Sequence, residues 1–206
     1  MYQLYCAANT YAMGAHVLLE ELGVSYEIIE VTLYTDEPDP DFFKASPHAR
    51  VPALVHRHGT VFESGAIAQY LTDTHPENEL AVPFDHPDRA RYLQWLYYLS
   101  STVQPEVMIQ FHPDHYFQDL NTQNRLKSAS MDRLEDIWKV LNEAYRHGPW
   151  LIDSRPTAID FCLAIQIQWP ECFRHGISKY PNLERMLATI SKREAYQAVM
   201  QWHHSR

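Results

Sequence analysis

Val51-Pro52-Ala53-Leu54-Val55, then Arg57-His58-Gly59, then Thr60-Val61-Phe62-Glu63-Ser64: the chain here holds two short apolar runs, rich in β-branched residues, around a turn. The runs read as strands, and Gly59 suits the positive φ that a three-residue hairpin loop needs. A helical pattern of Ala66, Ile67, Tyr70 and Leu71 begins directly after Ser64. A strand thus ends in an acid and a hydroxyl at the mouth of a helix, where free backbone N–H groups favour an anion. Pro52 removes a donor at the opening of the first strand and leaves a backbone edge there for another peptide's main chain. For structure alone, Glu63-Ser64 reads as a strand end followed by an N-cap.

Working outward toward the N-terminus, residues 26–31 form a strand carrying Ile28, Ile29 and Val31. Residues 35–40, with three acids and two prolines, form a loop, followed by a short helix over 41–44. Residues 2–6 form the first strand and Asn9-Thr10 a turn. From Tyr11 a helix presents Ala12, Ala15, Leu18, Leu19 and Leu22 on one face and stops at Gly23. The order βαβ–α–ββα fits a thioredoxin-like α/β layer, with a parallel strand pair first and an antiparallel pair second.

Toward the C-terminus, the aperiodic stretch from His75 to His86 marks a boundary. The expected domains are 1–75, a linker 76–86, and an all-helical bundle 87–206. Asp85 reads as an N-cap with Pro87 in the first turn, and Pro105 should kink or break the helix that follows. Leu134, Ile137, Trp138, Leu141 and Tyr145 keep a helical period ending at Gly148. Thr157-Ala158-Ile159-Asp160 is a capping-box variant opening a helix that is apolar on most faces, hence the buried centre of the bundle. Pro181 to Ile190 and Ala195 to Trp202 read as the last two helices.

A formal net charge of −9 argues against nucleic acid and gives no support for an anionic membrane surface. No run approaches the ~18 apolar residues of a membrane span, and no basic-then-apolar leader opens the chain. Cys6, Cys162 and Cys172 form no CxxC, which suits a reducing cytoplasm. Twelve histidines include His56-x-His58, His112-x-x-His115 and His203-His204. None joins cysteines at zinc spacing, so they read as ordinary surface histidines and no metal is expected.

Val-Pro-Ala-Leu, a hairpin, and Glu-Ser before a helix resemble the glutathione-binding half of the soluble glutathione transferases. The second half extends the resemblance. Thr157-Ala158-Ile159-Asp160 is similar to the buried capping box of that family's helical domain, and Tyr180-Pro181-Asn182-Leu183 to the opening of a later helix. Trp95-Leu96-Tyr97-Tyr98-Leu99-Ser100-Ser101 resembles the bacterial beta class. The resemblance implies a cis Pro52, a backbone contact from Val51 to the cysteinyl unit, and γ-glutamyl contacts from Glu63 and Ser64. It implies glutathione as co-substrate, a homodimer, and an electrophilic, largely apolar second substrate. Tyr97, Tyr98, Phe111 and Tyr116 are candidates to line that substrate's pocket, though core packing accounts for them equally.

Glutathione attacks as a thiolate, while a free thiol titrates near ~8.5. Ionising it at neutral pH needs a shift of about 2 units, or roughly 2.7 kcal/mol. A helix N-terminus contributes about 0.3–1 kcal/mol when exposed and about 2 when buried. A hydrogen bond to the charge contributes roughly 1.5–3 kcal/mol. A side-chain donor should therefore stand near the start of the first helix. Aligning Ala15-His16-Val17 with the family's Pro-His-Ile places Tyr11 where the beta class has its cysteine, after Asn9 and Thr10. Thr10 and Tyr11 are the candidate donors, with an N-cap and a surface or interface aromatic as their structural alternatives. Cys6 lies too early and reads as buried and inert. Tyr34 replaces a lysine, Tyr97 an asparagine and Gln104 a histidine that approaches the sulfur. His48 and Arg50 are then the cations nearest the strand edge. Asn9, Arg50 and Gln104 complete the candidate binding set. A glutathione-dependent disulfide or peroxide reductase, and a non-catalytic glutathione-binding module, stand as alternatives to conjugation.

Overall fold

The computed structural model describes every residue except Asp36, Pro38 and Asp153. Those first two fall within the expected 35–40 loop and so lie outside the described residues. The chain divides into two units, Met1–His86 with Ser191–Arg206, and Pro87–Ile190.

In the first unit, strands β1 (Tyr2–Cys6), β2 (Tyr26–Glu30), β3 (Ala53–His56) and β4 (Gly59–Phe62) form one sheet in the order β2-β1-β3-β4. β1 runs parallel to β2 and antiparallel to β3, and β3 pairs antiparallel with β4. Alternation along the strands divides their side chains between two faces. Tyr5 and Ala53 pack with Phe42 and Ala45 of helix α2 (Pro40–Ala45), Tyr5 stacking on Phe42 at 5.3 Å. Asp39 caps α2 by accepting from the N–H groups of Asp41 and Phe42 at 2.8 and 3.1 Å. The hairpin loop is two residues, Arg57-His58. Gly59, at φ +142°, pairs with His56 instead of sitting in the loop, because without a Cβ it closes the ladder from that conformation.

Helix α1 (Ala12–Leu22) ends at Gly23 in the left-handed region, φ +63°, as its sequence implies. The single apolar face expected of it is too narrow: Ala12 through Leu19 are all buried. The extra burial comes from the tail. The last helix, Glu194–His204, packs along α1 and belongs to the first unit, so the helical bundle does not extend to residue 206. Arg193 grips Glu21 with two bonds of 2.6 Å, tying the start of that helix to the end of α1. Helix α3 (Ser64–Thr74) also packs on α1.

The second unit opens with α4 (Arg89–Tyr98). Asp88 occupies its N-cap position, not Asp85. Pro105 does not break the path into α5 (Gln104–Phe111). A π-turn over Leu99–Val103 precedes it, with Gln104 N–H bonded to the Leu99 carbonyl. The wider turn lets the chain accommodate a residue that has no N–H to give. α6 (Leu120–Ala144) is 25 residues long and starts at Asp119, whose carboxylate accepts from Thr122 N–H at 2.8 Å. It ends four residues before Gly148, with Tyr145 at its C-cap. α7 (Ala158–Ile167) carries the capping box and is buried at almost every position. Trp138 of α6 donates to the Cys172 carbonyl at 2.9 Å. α8 (Pro181–Ile190) closes this unit, and the tail helix of the first unit is α9. Among the described residues no helix is long and apolar enough to cross a membrane.

Candidate functional site

Tyr5, Ala53 and Phe62 form one row across β1, β3 and β4. One residue further out stand Cys6, Pro52 and Glu63, so three strand ends and the starts of α1 and α3 share one end of the sheet. Two strand-to-strand steps span roughly 10 Å, and three extended residues reach roughly the same length. A tripeptide laid across this edge therefore runs from one helix mouth to the other.

The Val51–Pro52 peptide is cis. Val51 lies beyond the last paired residue of β3, Ala53, and is half-buried. Glu63 is exposed at φ 74° and ψ 120°, a conformation costly for any residue with a Cβ, and its side chain makes no capping bond to α3. Ser64 follows as the first residue of that helix. A carboxylate and a hydroxyl at a helix start suit an amino acid head group: the acid meets an ammonium, and the hydroxyl and helix field meet a carboxylate. Arg50 and His48 are exposed just before this edge, and the Arg50 N–H donates to Ser46 Oγ at 3.0 Å.

At the other mouth, Thr10 Oγ1 donates to the Ala7 carbonyl at 2.7 Å and accepts from Ala12 N–H at 3.3 Å. Met13 and Gly14 N–H groups bond the carbonyls of Thr10 and Tyr11. The first turn of α1 thus offers its field, while its amides from Ala12 to Gly14 are engaged. Tyr11 is buried, at 8% exposure, not a surface aromatic. Burial pushes the Cys6 thiol up to about 12, with Glu30 adding to the effect, so it is inert. Asn9, at φ 55°, directs both backbone N–H and side-chain amide to His203 of α9. Gln104 opens α5 and belongs to the second unit; the strand-edge site is built from the first unit alone.

His203 and His16 were expected on the surface or given no role, yet both are buried, at 0% and 3% exposure. Their rings bond at 3.2 Å, and His16 Nε2 meets Tyr26 Oη at 2.9 Å. Tyr26 in turn donates to Glu20. Burial holds His16 down at about 4 and His203 at about 3, the latter also depressed by His16, His204 and Arg206. The sequence signal was Tyr196, Val199 and His203 at helical spacing, which places His203 on the apolar face of α9.

His112, Asp114 and His115 bring ligand atoms within 4.8 Å of one another. The two imidazoles are stacked, 12° from parallel.

The model of the family "Glutathione S-transferase, N-terminal domain" matches residues 2–73, spanning the whole sheet and both helix mouths. Glutathione S-transferase GstA of Escherichia coli O157:H7 is 25% identical over 198 residues, covering 95% of each chain. The chain is similar to the glutathione S-transferases along nearly its whole length. A glutathione transferase from Methylococcus capsulatus superposes with a TM-score of 0.78 at 28% identity, covering all of both chains. A sphingomonad glutathione S-transferase complexed with glutathione gives a TM-score of 0.87 at 23% identity over 99% of this chain and 100% of that one. The chain shares with them the thioredoxin-like layer and the helical second unit.

Proposed function

We propose that this enzyme ionises the thiol of glutathione at the start of α1 and directs it at an electrophilic, largely apolar small molecule. The observation that carries the reading is the single sheet end at which cis-Pro52, the strained Glu63 and both helix mouths sit a tripeptide's length apart. In this reading the γ-glutamyl ammonium faces Glu63 and its carboxylate faces Ser64. The cysteinyl main chain pairs with Val51, the glycyl carboxylate lies toward Arg50, and the sulfur reaches Thr10 and Tyr11. The thiolate lone pair forms the new C–S bond as the electrophile's leaving group departs with its electron pair. The reading includes a homodimer in the cytoplasm.

Thr10 can serve because its hydrogen is held only by a neutral carbonyl acceptor. Turning it to a thiolate exchanges a bond worth about 0.5–1.5 kcal/mol for one worth about 1.5–3. Thr10→Ala or Tyr11→Phe, whichever residue is the donor, should lower kcat about tenfold to a hundredfold with glutathione affinity kept. Steady-state turnover with a chlorodinitrobenzene, beside calorimetry with glutathione, makes the check. Binding without turnover by the unaltered protein would point to a non-catalytic module, and no binding at millimolar glutathione would end the assignment.

Glu63→Gly separates stability from function. Glycine relieves a backbone strain of about 1–3 kcal/mol while adding about 0.5–1 of unfolded-chain entropy. The variant should melt at or above the temperature of the unaltered protein, yet bind glutathione at least about tenfold more weakly, having lost the ammonium's partner. A variant that binds as tightly as before would remove Glu63 from the site.

A further inference from the structure

Behind the start of α1, inside the first unit, a buried polar chain joins the Asn9 turn to the surface. Its proton positions follow from the partners. The Asn9 backbone N–H can only donate, so His203 Nδ1, 3.2 Å away, accepts and is bare. His203 then carries its proton on Nε2 and gives it to His16 Nδ1 at 3.2 Å. His16 in turn donates from Nε2 to Tyr26 Oη at 2.9 Å, and Tyr26 donates to the Glu20 carboxylate. Every bond points the same way, and every member holds the one proton it needs. Such a chain polarises along its length: the carboxylate at the far end makes His203 Nδ1 a better acceptor for Asn9. Glu20 lines an open cleft of about 660 Å³ with Glu21, Lys192 and Arg193, so the chain ends at solvent.

We propose that His203 is a positioning residue of the glutathione site, locking the Asn9-Thr10 turn to α9 and, through His16 and Tyr26, to Glu20. Asn9 sits in the left-handed region and is held there from both its backbone N–H and its Nδ2, the latter bonding the His203 carbonyl at 3.4 Å. Thr10 is the next residue, and its hydroxyl direction depends on that turn. The role rests on the reading that the sulfur lies at the start of α1. The groups facing the two imidazoles are Glu20 on α1, Tyr26 on β2, and Trp202, His204 and Arg206 at the end of the chain, while Cys6 on β1 acts on Tyr26. Of these, only Tyr26 and Glu20 continue the line of hydrogen bonds.

The test is the ionisation of bound glutathione, followed by the ultraviolet absorbance of the thiolate against pH, in the full-length protein. His203→Leu should raise the pKa of the bound thiol by about one unit, a tenfold loss of thiolate at neutral pH. Glutathione affinity should stay within about threefold. His203→Asn keeps an oxygen near the Nδ1 position for Asn9 and should recover most of the lowered value. A purely structural histidine would change melting temperature and leave the thiol pKa in place, which overturns the proposal alone. If the unaltered protein leaves the thiol at its free value, the glutathione reading falls and this role with it. Nitrogen NMR of the unaltered protein is a check that needs no variant. Both rings should be Nε2–H tautomers that do not titrate above pH 5, and a His203 that titrates near its free value overturns the chain.

Discussion

Asp160→Ala is expected to destabilise the second unit by about 4 kcal/mol or more, the largest effect of any single side-chain removal in this protein. The carboxylate is fully buried and collects four donors: Thr157 N–H at 2.7 Å, Thr157 Oγ1 at 3.0 Å, Tyr145 Oη at 2.8 Å and Leu151 N–H at 3.0 Å. Removing it strands all four, each at about 1–3 kcal/mol, and uncaps the start of α7 at the same time. Water entering the vacated space recovers part of that sum. Against a total stability of about 5–15 kcal/mol, the loss decides whether the unit folds at body temperature. Asp160→Asn keeps one oxygen and should cost roughly half as much, because its amide turns a donor toward Thr157 N–H. Urea unfolding followed by tryptophan fluorescence reads this out, since Trp138 is buried in the same unit. An Asp160→Ala midpoint within about 1 kcal/mol of the parent would contradict this account of the capping box.

That box was legible because its signal is local: Thr157 and Asp160 lie three residues apart ahead of an apolar run. The strand edge was legible for the same reason, with Val51-Pro52 and Glu63-Ser64 each marking an element end by chemistry. Other features depend on partners distant in sequence and left no local mark. The first half of α6, from Leu120 to Arg133, is largely polar and exposed, so no apolar stripe announced it. α1 showed one apolar face, and its other buried positions make sense only once α9 is known to cover them. His203 looked like half of a surface pair because its neighbour His204 is exposed, while the ring itself faces His16. Pro105 signalled a break that the chain resolves as a π-turn, a change of hydrogen-bond pattern that propensity does not encode. Thr10 is not the N-cap, a position Tyr11 takes, yet its hydroxyl accepts from Ala12 N–H at the start of α1.

The buried imidazole pair makes the first unit acid-sensitive in a pH range where most proteins are insensitive. In the unfolded chain each histidine titrates near ~6.5; folded, His16 is held at about 4 and His203 at about 3 by burial. The unfolded state therefore binds more protons across this window, and stability falls as pH drops from 6.5 toward 4. From 6.5 to about 4, His16 alone withdraws roughly 3 kcal/mol. His203 titrates as part of the same pair and adds to the loss. Protonation is doubly unfavourable there: a second N–H on His203 would face the Asn9 N–H, and one on His16 would face His203 Nε2–H. In the second unit Asp160 works in the opposite direction. Burial raises its carboxyl to about 6 from 3.8, so the folded state takes up that proton first and gains relative stability as pH falls from 6 to 3.8. The two units should therefore diverge on acidification. Amide exchange, corrected for its intrinsic pH dependence, should accelerate in β1 and α1 between pH 7 and pH 5 by about tenfold or more, while α7 stays protected. His203→Asn, with one titrating group fewer, should flatten the first unit's response by about half. Equal protection of β1 and α1 at the two pH values would mean that the pair does not stay neutral in the fold, and the directional chain from Asn9 to Glu20 would lose its physical basis.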